Sequence, residues 1–165
     1  MKKIVIFLFI GLFFLTIIGC SFTQNYTISY KNTSIKLDIN LLYPSSLNIR
    51  YGINSPVKIS SGNSSISVYP ILLEVDITSN YQYIIDPYSS FIVFTDNTLY
   101  FPKFPEELKK AKLFDEIPVS KKGLIILQPF TQNIRLLYFL KQNPEKKKLI
   151  LYCTIENNLY IIPTR

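Results

Sequence analysis

The chain has 165 residues, with 18 Lys and Arg against 11 Asp and Glu, a formal charge of +7, two cysteines and no histidine. Without histidine, Ser-His-Asp and Cys-His nucleophiles and His-based zinc sites are excluded, and with them most hydrolase chemistry. A chain of this length fits one domain whose core stands without disulfide staples.

Lys2-Lys3, the uncharged run from Ile4 to Ile18 and Gly19-Cys20 follow the order of a bacterial secretory signal that ends in a lipidation site. The apolar run is shorter than the roughly 20 residues a spanning helix needs. Small Gly19 gives a peptidase access to the bond, the Cys20 thiol accepts a diacylglycerol, and the freed amine takes a further acyl chain. Residues 1–19 are therefore expected to be a cleaved lipoprotein signal peptide, residues 20–25 a lipidated tether, and residues 26–165 one domain. Each buried methylene contributes about 0.8 kcal/mol, so two or three chains anchor firmly where one does not. Plain secretion and an uncleaved anchor are the competing readings. The acceptor triplets Asn25-Tyr26-Thr27, Asn32-Thr33-Ser34 and Asn63-Ser64-Ser65 speak for secretion.

Ile35 to Leu41 alternates apolar and polar residues, the period of a strand with one buried face. A loop is expected around Ser60-Ser61-Gly62-Asn63-Ser64. Leu73, Val75 and Ile77 repeat the alternation, with Glu74, Asp76 and Thr78 outward. Phe91 to Phe94 and Thr98 to Phe101 flank Thr95-Asp96-Asn97, a hairpin turn of residues that tolerate left-handed backbone. Pro105-Glu106-Glu107-Leu108-Lys109-Lys110-Ala111-Lys112-Leu113 reads as a short helix, with proline first, acids in the first turn and lysines in the last. Strands are expected over Gly123 to Gln128, Ile134 to Lys141, Leu149 to Glu156 and Leu159 to Ile162, the last two joined at Asn157-Asn158. Leu149, Leu151, Cys153 and Ile155 share one face, so Cys153 is expected in the core. Many short strands without βα alternation predict an all-β fold, an antiparallel β-sandwich with one short helix, a barrel being the alternative.

The segments Leu72 to Asn80, Ile85-Asp86-Pro87, Phe91 to Asn97, Ile117 to Gly123 and Leu149 to Ile155 together resemble the central strands of telokin-like domains of bacterial extracytoplasmic lipoproteins. The resemblance implies an immunoglobulin-like sandwich and a cell-envelope location, and it carries no catalytic residues. The Lys-rich stretch from Lys103 to Lys122 departs from the tighter loops of that family.

Few residues offer chemistry. Glu74 and Asp76 share a strand face roughly 7 Å apart, within the span of an inverting glycosidase pair, although simple outward alternation accounts for both. Asp96-Asn97 lacks the further oxygen ligands of a calcium site. No phosphate-binding glycine loop exists, and neither cofactor nor metal is expected. Tyr26, Tyr30, Tyr81, Tyr83, Tyr88 and Tyr100 are candidates for stacking on a sugar or a partner. From Leu99 onward the chain holds twelve basic and six acidic residues. Lys109, Lys110, Lys112, Lys121, Lys122, Lys146, Lys147 and Lys148 are candidates for contact with anionic lipid or an acidic polymer. Nucleic acid is discarded as a partner for a protein outside the cytoplasmic membrane. The expected function is a membrane-anchored, non-catalytic binding or assembly module of the envelope, with an envelope protein or anionic polymer as partner. The alternative is a carbohydrate-active enzyme or polysaccharide-binding module at the cell surface.

Overall fold

Strand-forming alternation dominates the structure as it does the sequence. A computed structural model describes residues 21–30, 33–61, 64–110, 117–127 and 131–164, with the side chains of residues 21–34, 61 and 110 outside the description. Eleven strands and three short helices lie among these residues. The strands are β1 (Ser21–Tyr30), β2 (Thr33–Leu42), β3 (Val57–Ser61), β4 (Ser64–Ser79), β5 (Tyr83–Ile85), β6 (Phe91–Thr95), β7 (Thr98–Tyr100), β8 (Ile125–Leu127), β9 (Thr131–Leu140), β10 (Ile150–Ile155) and β11 (Asn158–Pro163). The helices are α1 (Pro44–Tyr51), α2 (Pro87–Ser90) and α3 (Pro105–Lys110).

Two antiparallel sheets form the body of the sandwich. The first runs β1-β2-β4-β3, with β9 also pairing β4, and the second runs β11-β10-β6-β7. A separate pair joins β5 to β8. Both main sheets are open, so the fold is an all-β sandwich and not a closed barrel. Register follows the alternation: Leu37, Ile39 and Leu41 of β2 lie opposite Ile77, Val75 and Leu73 of β4, which in turn oppose Gln132, Ile134 and Leu136 of β9. The apolar members of these rows face Phe91, Val93, Leu151, Cys153, Ile155 and Ile162 of the second sheet, and together they form the main core. Full burial of each such side chain contributes about 1.5–3 kcal/mol. A second core lies on the other face of the first sheet, where Leu42, Leu72, Leu137 and Phe139 are covered by Leu47 of α1, Ile53, Leu108 of α3 and Ile117.

The structure departs from the sequence expectations in four places, the first being the expected loop at Ser60 to Ser64, where Ser60 and Ser61 belong to β3 and Ser64 to β4. Among the described residues there are three helices rather than one. In α1, Pro44 supplies the pre-set backbone angle at the start and Gly52 the left-handed cap, with φ of 70°, at the end. In α2, Asp86 caps the helix through its carboxylate, which accepts from the Tyr88 amide at 3.2 Å. Next, Ser21–Asn25, expected as a tether, is the first half of β1 and pairs with β2 from Ser21 opposite Leu42 onward. Finally, the left-handed residues of the last hairpin are Glu156 and Asn157, with φ of 47° and 65°, one position earlier than expected. The expected turn at Asp96-Asn97 is present, with φ of 50° and 54°. The signal segment, Cys20, Gly62-Asn63 and residues 111–116 lie outside the described residues.

Candidate binding groove

In a chain without histidine, carboxylates are the candidate acid/base groups. Alternation along β4 directs Glu74 to the outer face of the first sheet, and register sets Asn40 of β2 on one side of it and Arg135 of β9 on the other. Arg50 reaches the same carboxylate from the last turn of α1. Oε2 accepts from Asn40 Nδ2 at 3.0 Å and from Arg50 Nη1 at 2.9 Å, while Arg135 Nε stands 3.3 Å from Oε1. The bond to Glu74, more than any other influence, holds the Arg50 guanidinium above its usual pKa. Glu74 is only 8% exposed, so this carboxylate is a fixed anion between two cations. Asp76 accepts from Asn133 Nδ2 at 2.7 Å, and Lys36 pairs with Asp38, which lies opposite Asp76. Both members of the sequence-predicted carboxylate pair are thus engaged in cross-strand contacts.

Cys153 is fully buried on the inner face of β10, as the alternation predicts, and burial pushes its thiol up to about 12. It is a protonated core residue at neutral pH. Asp96 accepts from Lys147 Nζ at 2.5 Å at the tip of the β6–β7 hairpin. Among the described residues, no three His, Cys, Asp or Glu side chains gather as a metal site. Tyr88 is buried, and Tyr81, Tyr83 and Tyr100 pack against the main core, Tyr100 also lining the groove described below. The side chains of Tyr26 and Tyr30 lie outside the description.

The lysines fall into two groups. Lys122 Nζ sits 4.1 Å from the centroid of the Phe104 ring, which places Lys121 and Lys122 beside the start of α3, the helix that carries Lys109. Lys110 ends that helix, its side chain outside the description, and Lys112 is outside it altogether. The Lys146 to Lys148 run belongs to the β9–β10 connection, where Lys147 also donates to Gln142 and the Lys148 carbonyl accepts from Thr95.

The concave feature that sequence reasoning missed is a groove of about 610 Å³. Its floor is the apolar face of the β3–β4 hairpin, where Ile59 and Ile66 stand directly opposite each other, with Val68 and Phe139 alongside. Its wall is Leu99 and Phe101, and its rim carries Lys103, Glu107 and Lys141. Ile66, Leu99 and Phe101 are 59%, 49% and 55% exposed, three large apolar side chains turned to one space. The path of the first sheet ends at β3 and that of the second at β7, so the groove runs between two sheet edges. Lys103 is held by its backbone N–H to the Leu137 carbonyl at 2.7 Å and by its ammonium to Glu107 at 3.0 Å, which fixes the rim. The signal in the sequence was the pair Val57-Lys58-Ile59 and Ile66-Ser67-Val68, alternating runs on either side of the expected loop.

In comparisons with known proteins, no protein-family model, no curated protein and no solved structure matches this chain.

Proposed function

We propose that this chain is a lipid-anchored protein of the cell envelope whose β-sandwich is a non-catalytic binding module, and that the groove between β3 and β7 receives an extended apolar segment of another envelope protein. The observation that carries the reading is the groove itself, with three exposed apolar side chains facing a space bounded by two strand edges. A strand edge offers a row of backbone donors and acceptors, and an apolar trough beside it accepts alternate side chains of an added strand. The anchor rests on Lys2-Lys3, the Ile4 to Ile18 run and Gly19-Cys20. A cell-envelope address and a sandwich that binds without catalysis also agree with the resemblance to telokin-like lipoprotein domains.

Two measurements test the proposal. Replacing Cys20 with Ser should abolish labelling by a fatty-acid analogue and release the protein from the membrane fraction, and unchanged labelling overturns the anchor. A photoreactive residue in place of Phe101 should cross-link a discrete envelope protein in intact cells, whereas the same residue in place of Lys58, on the opposite face of β3, should not. Equal cross-linking at both positions, or none at Phe101, overturns the groove.

A further inference from the structure

The start of β1 and the groove lie at the same end of the first sheet. Ser21 of β1 stands opposite Leu42 of β2, and Leu42 stands opposite Leu72 of β4. β4 continues past this row from Ile71 back to Ser64, and the extension pairs with β3 and carries Ile66 and Val68 of the groove. From Ser21 the backbone of β1 runs toward Tyr30, away from the extension, so the chain enters β1 from the groove side. Cys20 is the residue before Ser21. Since Ser21–Asn25 is strand and not tether, no slack separates the expected lipidation site from the sheet. At roughly 3.3 Å per residue along a strand and about 4.8 Å between strands, Ile66 lies on the order of 20 Å from Ser21. Lysines gather at this end too. Lys103 and Lys141 stand on the groove rim, and Lys146 and Lys148 follow Leu140, which is opposite Tyr69 of the extension.

We infer that the groove opens at the bilayer surface, and that its occupant is the extended segment by which a second membrane-bound protein leaves the bilayer. The inference rests on the anchor and groove readings of the proposed function and adds where the partner is held. Two or three acyl chains fix Cys20 at the bilayer. The extension of β4 points the way the chain comes from, so a domain joined to the anchor without slack turns its groove toward the headgroups. Each lysine at this end contributes about 1 kcal/mol beside anionic lipid. A segment rising from the same membrane meets the groove at a high effective concentration, which a soluble partner lacks. Lipid acyl chains are the poorer occupant, because leaving the bilayer for the groove exchanges one apolar surrounding for another. An extended peptide gains the donors and acceptors of a strand edge as well.

The test compares the lipidated parent with a variant that carries four Glu-Ala-Ala-Ala-Lys repeats between Cys20 and Ser21, a semi-rigid helical spacer of about 30 Å. With a photoreactive residue in place of Phe101, the parent in intact cells should form an adduct with a protein that washed membranes retain in cells lacking this chain. The spacer should lower the adduct yield by about fivefold or more. No protein adduct in the parent overturns the groove reading and this inference with it. Equal yields with and without the spacer, or a partner that the wash removes, overturn this inference alone, and failure of the anchor is read separately from fatty-acid labelling at Cys20. Vesicles give a readout that needs no partner. A fluorophore on Ile66→Cys in the lipidated protein should be quenched by brominated lipid, while buried Cys153 does not compete for the label. The same fluorophore on Ile126→Cys should escape quenching, since the Ile126 carbonyl accepts from Gln132, opposite Ile77, roughly 35 Å along β4 from Ile66. Equal quenching at the two positions, or stronger quenching at Ile126, overturns the inference.

Discussion

The Tyr138 hydroxyl donates to the Phe91 carbonyl at 3.0 Å, a buried bond that ties β9 of the first sheet to β6 of the second through the middle of the core. Burial above all, and then the nearness of Cys153 and Tyr88, holds this phenol well above its usual pKa. It stays a donor under all ordinary conditions. Tyr138→Phe keeps the ring and removes only the bond, so it should cost about 1–2 kcal/mol in denaturant unfolding. Tyr138→Leu leaves a cavity as well and should cost more. Equal stability of Tyr138→Phe and the parent would show that the inter-sheet bond contributes nothing.

Cys153 makes the fold sensitive to alkali. Its thiol, ordinarily near 9.0, is raised to about 12 by burial. Between these values the unfolded chain gives up a proton that the folded chain keeps, so stability is complete below about pH 9 and falls as pH rises toward 12. Tyr138 and Tyr88, also raised by burial, add to the fall from about pH 10 upward. Cys153→Ala should therefore flatten the loss of stability between about pH 9 and 10 while leaving the tyrosine-dependent part. A maleimide should label Cys153 only after denaturation, and Cys153→Ser should cost on the order of 1–3 kcal/mol through a buried hydroxyl. Rapid labelling of the native protein is the result that removes Cys153 from the core.

Alternation made most of the sandwich legible. Leu37, Ile39, Leu73, Val75, Leu151 and Cys153 all face the core that their period of two predicts. What covers the outer faces was not legible, since periodicity assigns a face but not its neighbour. Glu74 was read as outward, which is correct, and yet it is buried because Arg50 arrives from a helix that local pattern did not reveal. The cues for that helix, Pro44 at its start and Gly52 at its end, were present but no acid follows the proline. Ser21–Asn25 hid the first half of β1, because Phe22 is its one apolar residue and the segment shows no apolar alternation. The groove required long-range information, with Ile66 of β4 brought together with Phe101, the residue after β7.

Glu74 supplies a test of that cover. Its two cations are partly exposed, at 47% for the Arg50 side chain and 32% for that of Arg135, so each alone contributes modestly. Arg50→Ala should cost about 1 kcal/mol, since Arg135 and Asn40 still hold the carboxylate. Removing both arginines leaves a buried anion without a cation, and the double variant should cost about 3–5 kcal/mol, more than the sum of the single changes. Adding Glu74→Leu to the double variant should recover much of the loss. Strict additivity of the two arginine changes would mean that Glu74 is not their shared partner.

The lysines provide the last test. Lys121 and Lys122 lie beside α3, while Lys146 to Lys148 lie in the β9–β10 connection with Lys147 committed to Asp96 and Gln142. Each lysine at an anionic surface contributes about 1 kcal/mol, and the attraction fades within a Debye length of roughly 8 Å at physiological salt. The chain from Ser21 onward should bind anionic vesicles at low salt and leave them at high salt, through whichever group faces the surface. Lys121→Gln with Lys122→Gln, and Lys146→Gln with Lys148→Gln, are the two variants to compare. One pair should weaken binding by about tenfold or more while the other changes it little, and the effective pair identifies the side that meets an anionic surface. Lys147→Gln should matter less than either, because its charge is already paired. If both double variants bind anionic vesicles as tightly as the parent, the basic residues serve only as a solvated surface.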